Sequence, residues 1–115
     1  VLLVKRPPHG LWGGLWELPR RACIVGETPE DCSARAAREI VGVSVAVQQL
    51  AAKVKHSVMH YAITLLGFDT TIVRGTPSAV DCTEFRWVQD KEFDGLALSA
   101  PQRQMLEAVR NRGKV

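Results

Sequence analysis

The stretch Glu27-Thr28-Pro29-Glu30-Asp31-Cys32-Ser33-Ala34-Arg35-Ala36-Ala37-Arg38-Glu39-Ile40-Val41-Gly42-Val43 decides the fold. Thr28 is a natural N-cap and Pro29 suits the first helical position. Glu30 and Asp31 place negative charge on the first turn, where the helix dipole favours it. Cys32, Ala36 and Ile40, with Ala37 and Val41 beside them, recur at helical spacing and form one apolar stripe. Gly42 supplies a C-terminal cap. The spacing predicts a helix over 29–41. On it, positions 36, 39 and 40 share a face, and only Glu39 among them carries a charge.

Downstream, Val43, Val45 and Val47 alternate with Ser44, Ala46 and Gln48, the period of a strand. A second strand is expected over about 58–68 and a third over 85–88. Residues 69–80, with Gly75, Thr76, Pro77 and Ser78, read as a turn-rich connection between them. Upstream, residues 1–5 form a short strand-like run stopped by Pro7-Pro8. Residues 10–19 hold three glycines and two tryptophans, a loop or irregular strand. At the other end Ser99 caps a final helix, with Pro101 in its first turn, Gln102 closing a capping box and Gly113 ending it. Met105, Leu106 and Val109 are its apolar face. Strands broken by two helices, without sequential β-α-β alternation, predict an α+β fold with a mixed β-sheet flanked by helices.

A chain of 115 residues makes one domain, 1–115, and buries roughly two thirds of its unfolded surface, enough for a core without staples. With 46% hydrophobic and 23% charged residues it is neither disordered nor embedded in a membrane. Cys23, Cys32 and Cys82 are odd in number and contain no C-x-x-C pair. That argues against a disulfide framework or a zinc site and suits a reducing compartment. No signal peptide or spanning segment is read, so no membrane partner is expected, and the protein should be a monomer. The chain begins without Met inside an apolar run, which reads as a fragment of something longer. The net charge of +3 permits nucleic acid without requiring it. Its distribution says more, since residues 40–68 contain no acidic side chain and include Lys53 and Lys55.

Residues 16–43 resemble the Nudix box of nucleoside-diphosphate-linked hydrolases, loosely G-x5-E-x7-R-E-U-x-E-E-x-G-U with U aliphatic. Glu27, Arg35, Glu39, Gly42 and Val43 match it. Arg21 stands at the opening Gly, Ala36 at the Glu after the Arg, and Ile40 at the second paired Glu. The family's three helical carboxylates would together hold Mg2+, a hard cation that needs several oxygen ligands. Ala36 and Ile40 supply none, so the resemblance implies a Nudix-like fold with a degenerate box of Glu27, Arg35 and Glu39. No catalytic residue and no metal site are assigned.

A second resemblance is narrower. Arg6-Pro7-Pro8-His9-Gly10-Leu11-Trp12-Gly13-Gly14-Leu15-Trp16-Glu17-Leu18-Pro19 is similar to the R-P-x-x-G-L-W-G-G-L-W-E-F-P segment opening the C-terminal domain of MutY-type adenine DNA glycosylases. His56-Ser57-Val58-Met59-His60 aligns with that family's H-x-F-S-H loop. The likeness continues through Phe85-Arg86-Trp87-Val88 and Lys91-Glu92-Phe93, so it covers essentially the whole chain. Those enzymes remove adenine mispaired with 8-oxoguanine in base excision repair, and their C-terminal Nudix-like domain recognises the oxidised guanine. The resemblance therefore implies a non-catalytic recognition domain. Its partners would be duplex DNA with 8-oxoguanine opposite adenine and an N-terminal glycosylase domain in cis. A 4Fe-4S cluster would belong to that other domain, with no cofactor here. In a bacterium the protein would be cytoplasmic and nucleoid-associated. The competing reading is a Nudix hydrolase of oxidised nucleoside triphosphates that uses Mg2+.

Oxidation at C8 turns guanine N7 from an acceptor into an N–H donor, so a reader of the lesion needs a hydroxyl or carbonyl acceptor there. The candidate contact residues are His56, Ser57, Val58, Met59 and His60, with Lys53 and Lys55 for phosphates. Met59 stands at the family's Ser, leaving Ser57 or backbone carbonyls as acceptors, and Val58 stands at its Phe. Blander readings compete. His56 and His60 also suit a strand surface, and Trp12 and Trp16 suit a cover for the core. Arg35 suits a salt bridge to Glu27 or Glu39, and Arg6, Arg20 and Arg21 a solvated face. Arg110, Arg112 and Lys114 suit the negative end of a helix.

Overall fold

Strand β1 (Leu2–Lys5) is the centre of the molecule because both of its faces are buried. Leu3 packs with Trp16, Val88, Phe93 and Leu106 on one side. Val4 packs with Ala36, Ile40, Val41 and Val43 on the other. Full burial of each such side chain contributes about 1.5–3 kcal/mol, so a four-residue strand holds two layers together. It pairs antiparallel with β2 (Trp16–Glu17) and, across the sheet order β2-β1-β5, with a strand at Glu84–Trp87. The computed structural model describes residues 1–10 and 12–112, Val58 by its backbone; the expected Gly113 cap and Lys114 lie outside the described residues.

Helix α1 (Pro29–Val41) has the expected ends. The Thr28 hydroxyl accepts from Asp31 N–H at 3.1 Å, and Gly42 caps at φ 74°. Its apolar stripe of Cys32, Ala36, Ile40 and Val41 is buried. β3 (Ser44–Val58) and β4 (Tyr61–Arg74) then form a long antiparallel hairpin. Val58 pairs with Tyr61, leaving Met59 and His60 as a two-residue turn. The strand expected at 58–68 is thus displaced: Val58 ends one strand and the next runs on to Arg74. Polar residues disguised this stretch. Gln48 donates to Thr71 at 2.8 Å and Gln49 to Asp69 at 3.1 Å across the hairpin, and three register shifts break the apolar alternation.

The true connection is residues 75–83, and it has a structural task. Its backbone N–H groups at Ser78, Val80 and Asp81 donate to the Val41 and Ile40 carbonyls left over at the end of α1. The loop leads into β5 (Glu84–Trp87), a 3-10 turn at Asp90–Gly95 that the sequence did not signal, and α2 (Ala100–Asn111). Ser99 caps α2 as expected, but Gln102 does not close the expected box: its Oε1 accepts from Leu18 N–H at 3.0 Å instead. Arg110 lies over the Phe93 ring and Arg112 reaches Asp69 at 2.6 Å, so both make tertiary contacts beyond the helix end.

The expected mixed sheet is corrected. Both sheets are antiparallel, and among the described residues the one parallel pairing is an isolated bridge between Trp16 and Leu98. A hairpin and short strands returning across β1 need no crossover helix, so no parallel ladder arises. The architecture is α+β, a three-stranded sheet between two helices with a long hairpin packed against both helices. No helix among the described residues is long and apolar enough to cross a membrane.

Candidate functional site

The helical end of the box is a network of ion pairs. Arg35 donates through Nε and Nη2 to Glu27 at 2.8 and 3.1 Å, and through Nη1 to Glu39 at 3.2 Å. Both partners proposed for it are therefore engaged. Arg35 Nη2 also holds the Ala22 carbonyl at 2.8 Å, and the Cys32 thiol donates to the Arg21 carbonyl at 3.3 Å. These two contacts clamp residues 21–22 onto α1. From there Arg21 Nε donates to Glu39 at 2.9 Å and its Nη2 to Asp81. Arg21 is therefore an ion-paired residue and not part of a solvated face, and Asp81 joins the site without a signal in its own stretch of sequence. The signal in the sequence was Arg at a position where the motif has Gly.

The charges respond accordingly. The Arg35 guanidinium holds the Glu27 carboxyl down at about 2. Arg21, assisted by Arg35, lowers Glu39 from the ordinary carboxylate range. Burial, with Cys23 and Glu27 nearby, pushes the Cys32 thiol up to about 12, so it stays neutral and unreactive. Cys23 is exposed and Cys82 half-buried, and no disulfide joins the three.

These residues do not fit the Mg2+ that the Nudix fold implies. Such an ion needs several carboxylate or water oxygens in octahedral array. Ala36 and Ile40 are buried hydrocarbon, and the carboxylates of Glu27, Glu39 and Asp81 are each already held by a guanidinium. Among the described residues no three His, Cys, Asp or Glu side chains form a metal-holding group.

The hairpin separates the proposed contact residues onto two faces. Lys53, Lys55 and Ser57 alternate with buried Val54 and so share the outer, exposed face. His56 points the other way, half-buried, with its ring centroid 6.0 Å from that of Trp12. Met59 and His60 are exposed at the turn. Arg20 completes the inner side: its guanidinium lies 5.1 Å from the Trp12 ring centroid while its Nε donates to Glu17 at 3.0 Å. Glu17 is buried and also accepts from Arg6 at 3.2 Å. Arg6 and Arg20 are therefore ion-paired supports rather than a solvated face. Trp16 covers the core as expected, but Trp12 does not; its ring meets His56 of the hairpin in a tilted contact.

Backbone strain falls at the same place. Among the described residues only Trp12, at φ 61°, and Met59, at φ 56°, are non-glycine residues in the left-handed region. That conformation costs about 1–2 kcal/mol for a residue with a Cβ. Strain of this kind concentrates where geometry serves binding. A separate apolar cavity of about 530 Å³ opens between the hairpin and the central sheet, lined by Leu18, Ala37, Val45, Leu66, Phe68 and Met105. Two of its polar members are engaged elsewhere, Gln102 by Leu18 and Asp69 by Arg112 and Gln49.

The chain is a small α+β domain built on the helix that carries Glu39 and Arg35 of the box. The NUDIX domain model matches residues 1–108, and the chain belongs to that family. Among solved structures it is similar to a MutT protein from Methanosarcina mazei Go1 (22% identity, TM-score 0.82, covering 99% of this chain and 85% of that one). It is also similar to the E. coli ORF135 protein (25% identity, TM-score 0.82, covering 97% and 81%). A third likeness is to the C-terminal domain of mouse MUTYH, solved in complex with human PCNA (24% identity, TM-score 0.63, covering 96% and 75%). A search of curated protein sequences returns no match.

Proposed function

We propose that this chain is the lesion-recognition domain of a MutY-type adenine DNA glycosylase, binding duplex DNA at 8-oxoguanine opposite adenine. Base removal, and the iron–sulfur cluster, would belong to an N-terminal glycosylase domain in cis. One observation carries the reading. The two segments most similar to those glycosylases, residues 6–19 and 56–60, meet through Trp12 and His56. The fold likeness to the MUTYH domain is compatible with this and does not by itself carry it.

In this reading Lys53 and Lys55 face phosphates from the outer side of the hairpin. Ser57 on the same face, or a carbonyl at the Met59 turn, accepts from the N7–H that oxidation creates. Trp12 holds His56, and with it the turn, from behind. The test is a titration of the chain with an 8-oxoguanine duplex while amide shifts are followed. Residues 53–60 should move first; silence at 56–60 would overturn the reading. The donor set described above speaks against the competing hydrolase, and a pyrophosphatase assay with 8-oxo-dGTP and Mg2+ separates the two. Turnover abolished by Glu39→Gln would favour the hydrolase.

A further inference from the structure

We propose that the guanidinium of Arg21 is a built-in cation that takes the divalent ion's place at the end of the box helix. It ties Glu39 of α1 to Asp81 of the 75–83 loop, so this domain is ordered there without a metal. Arg21 stands where the motif has a residue without a side chain, so the chain has inserted a cation into a site otherwise left open. Two independent contacts hold its backbone on α1, the Cys32 thiol on its own carbonyl and Arg35 on the Ala22 carbonyl. The side chain is thereby delivered to the helix end rather than left to wander.

Its geometry is that of a bridging ion. Its Nε engages Glu39 at 2.9 Å and its Nη2 engages Asp81, carboxylates carried by two different elements. The planar fork of Arg suits this better than a point charge would. Burial works against its charge, yet the hydrogen bonds to Glu39 and Asp81 raise its pKa all the same. The adjoining cavity of about 130 Å³ is lined by Arg6, Arg21, Glu17 and Asp81, with Ile40 closing it. Glu17 there is already paired with Arg6 and Arg20. A divalent ion entering would meet two guanidinium groups and no uncommitted carboxylate, so repulsion adds to the missing ligands.

The tie also explains the loop. Backbone bonds from Ser78, Val80 and Asp81 fasten the loop to the last carbonyls of α1, and Arg21 adds the side-chain link. What a metal would do by ligation is done by a charge carried on the chain itself.

The experiment compares the chain in EDTA and in millimolar Mg2+, with Mn2+ as the paramagnetic probe. The wild type should unfold at one midpoint in both buffers, and Mn2+ should leave the amides of residues 21, 39 and 81 sharp. Arg21→Gly should lower the midpoint in EDTA by about 3–6 °C, the scale of a lost partly exposed ion pair in a domain this size. It should speed amide exchange at residues 78–81 and let Mn2+ broaden Glu39 and Asp81. Arg21→Lys keeps a cation and should exclude Mn2+ even if the glycine variant does not fold. Stabilisation of the wild type by Mg2+, or Mn2+ broadening at Glu39 in the wild type or the lysine variant, would overturn the proposal. So would a folded Arg21→Gly chain whose loop exchange is unchanged. No readout involves DNA, so the recognition reading stands or falls separately.

Discussion

Trp12 and His56 lie with ring centroids 6.0 Å apart and planes tilted by 46°, one from the glycine-rich loop and the other from the β3–β4 hairpin. Trp12 holds this position at φ 61°, against the preference of any residue with a Cβ. Two opposing quantities therefore meet in one side chain. Losing the aromatic contact and the Arg20 cation–π contact costs about 1–2.5 kcal/mol. Relief of the backbone returns about 1–2 kcal/mol. Trp12→Gly should cost no more than about 1.5 kcal/mol of stability while weakening binding to an 8-oxoguanine duplex. Denaturant melts beside a binding titration check this; a large stability loss with intact affinity would make Trp12 a core residue only.

Lys53 and Lys55 share the exposed face of β3, with no acidic residue anywhere from 40 to 68. Phosphate contacts carry no sequence information, and each one lost lowers the salt slope of binding by about 1. Replacing both lysines by Ala should weaken lesion and undamaged duplexes alike and flatten log K against log salt by about 2. Selective loss for the lesion duplex alone would assign these lysines a different role.

Much of this was legible because local chemistry decided it. Thr28, Pro29 and Gly42 mark helix ends by backbone satisfaction alone, and the structure keeps all three roles. The Gly-Gly pair signalled a tight loop, and a Cβ on Gly13 would meet His9 and Pro8 backbone atoms at 2.8–2.9 Å. What stayed hidden depended on partners distant in sequence. Asp81 becomes a site residue only because its loop caps α1, and Gln102 leaves its capping box only because Leu18 arrives with an unsatisfied N–H. The hairpin's length was masked by polar cross-strand pairs that stand in for an apolar face. The resemblance placed residues 56–60 as one unit, but strand alternation turns His56 away from Ser57 and both lysines.

Glu17 extends the support beneath Trp12. It is buried, accepts from Arg6 and Arg20, and so fixes the guanidinium over the indole. Glu17→Leu removes both bonds, and the two half-buried arginines can partly turn to water. The cost should be about 1–3 kcal/mol, less than for a fully buried pair. Because Arg20 loses its anchor, DNA affinity should fall as well. Glu17→Gln, which keeps an acceptor, should fall between Leu and wild type in both measurements. An unchanged affinity in the Leu variant would uncouple this ion pair from the hairpin.

Acid should dismantle the helix-end network in a defined window. Glu27 is lowered from its ordinary value of 4.5 to about 2 by Arg35, and Glu39 and Asp69 are lowered by Arg21 and Arg112 respectively. A carboxyl depressed in the folded state binds protons more readily when unfolded. Its stabilisation is complete above the unfolded value and disappears as pH falls toward the folded one. Thermal midpoints should therefore hold steady from neutral pH to about 5 and then decline between about 4.5 and 2. Glu27→Gln should start lower at neutral pH and decline less steeply, because its share of the proton uptake is gone. An acid decline of equal steepness in wild type and variant would remove Glu27 from the pairs that acid breaks.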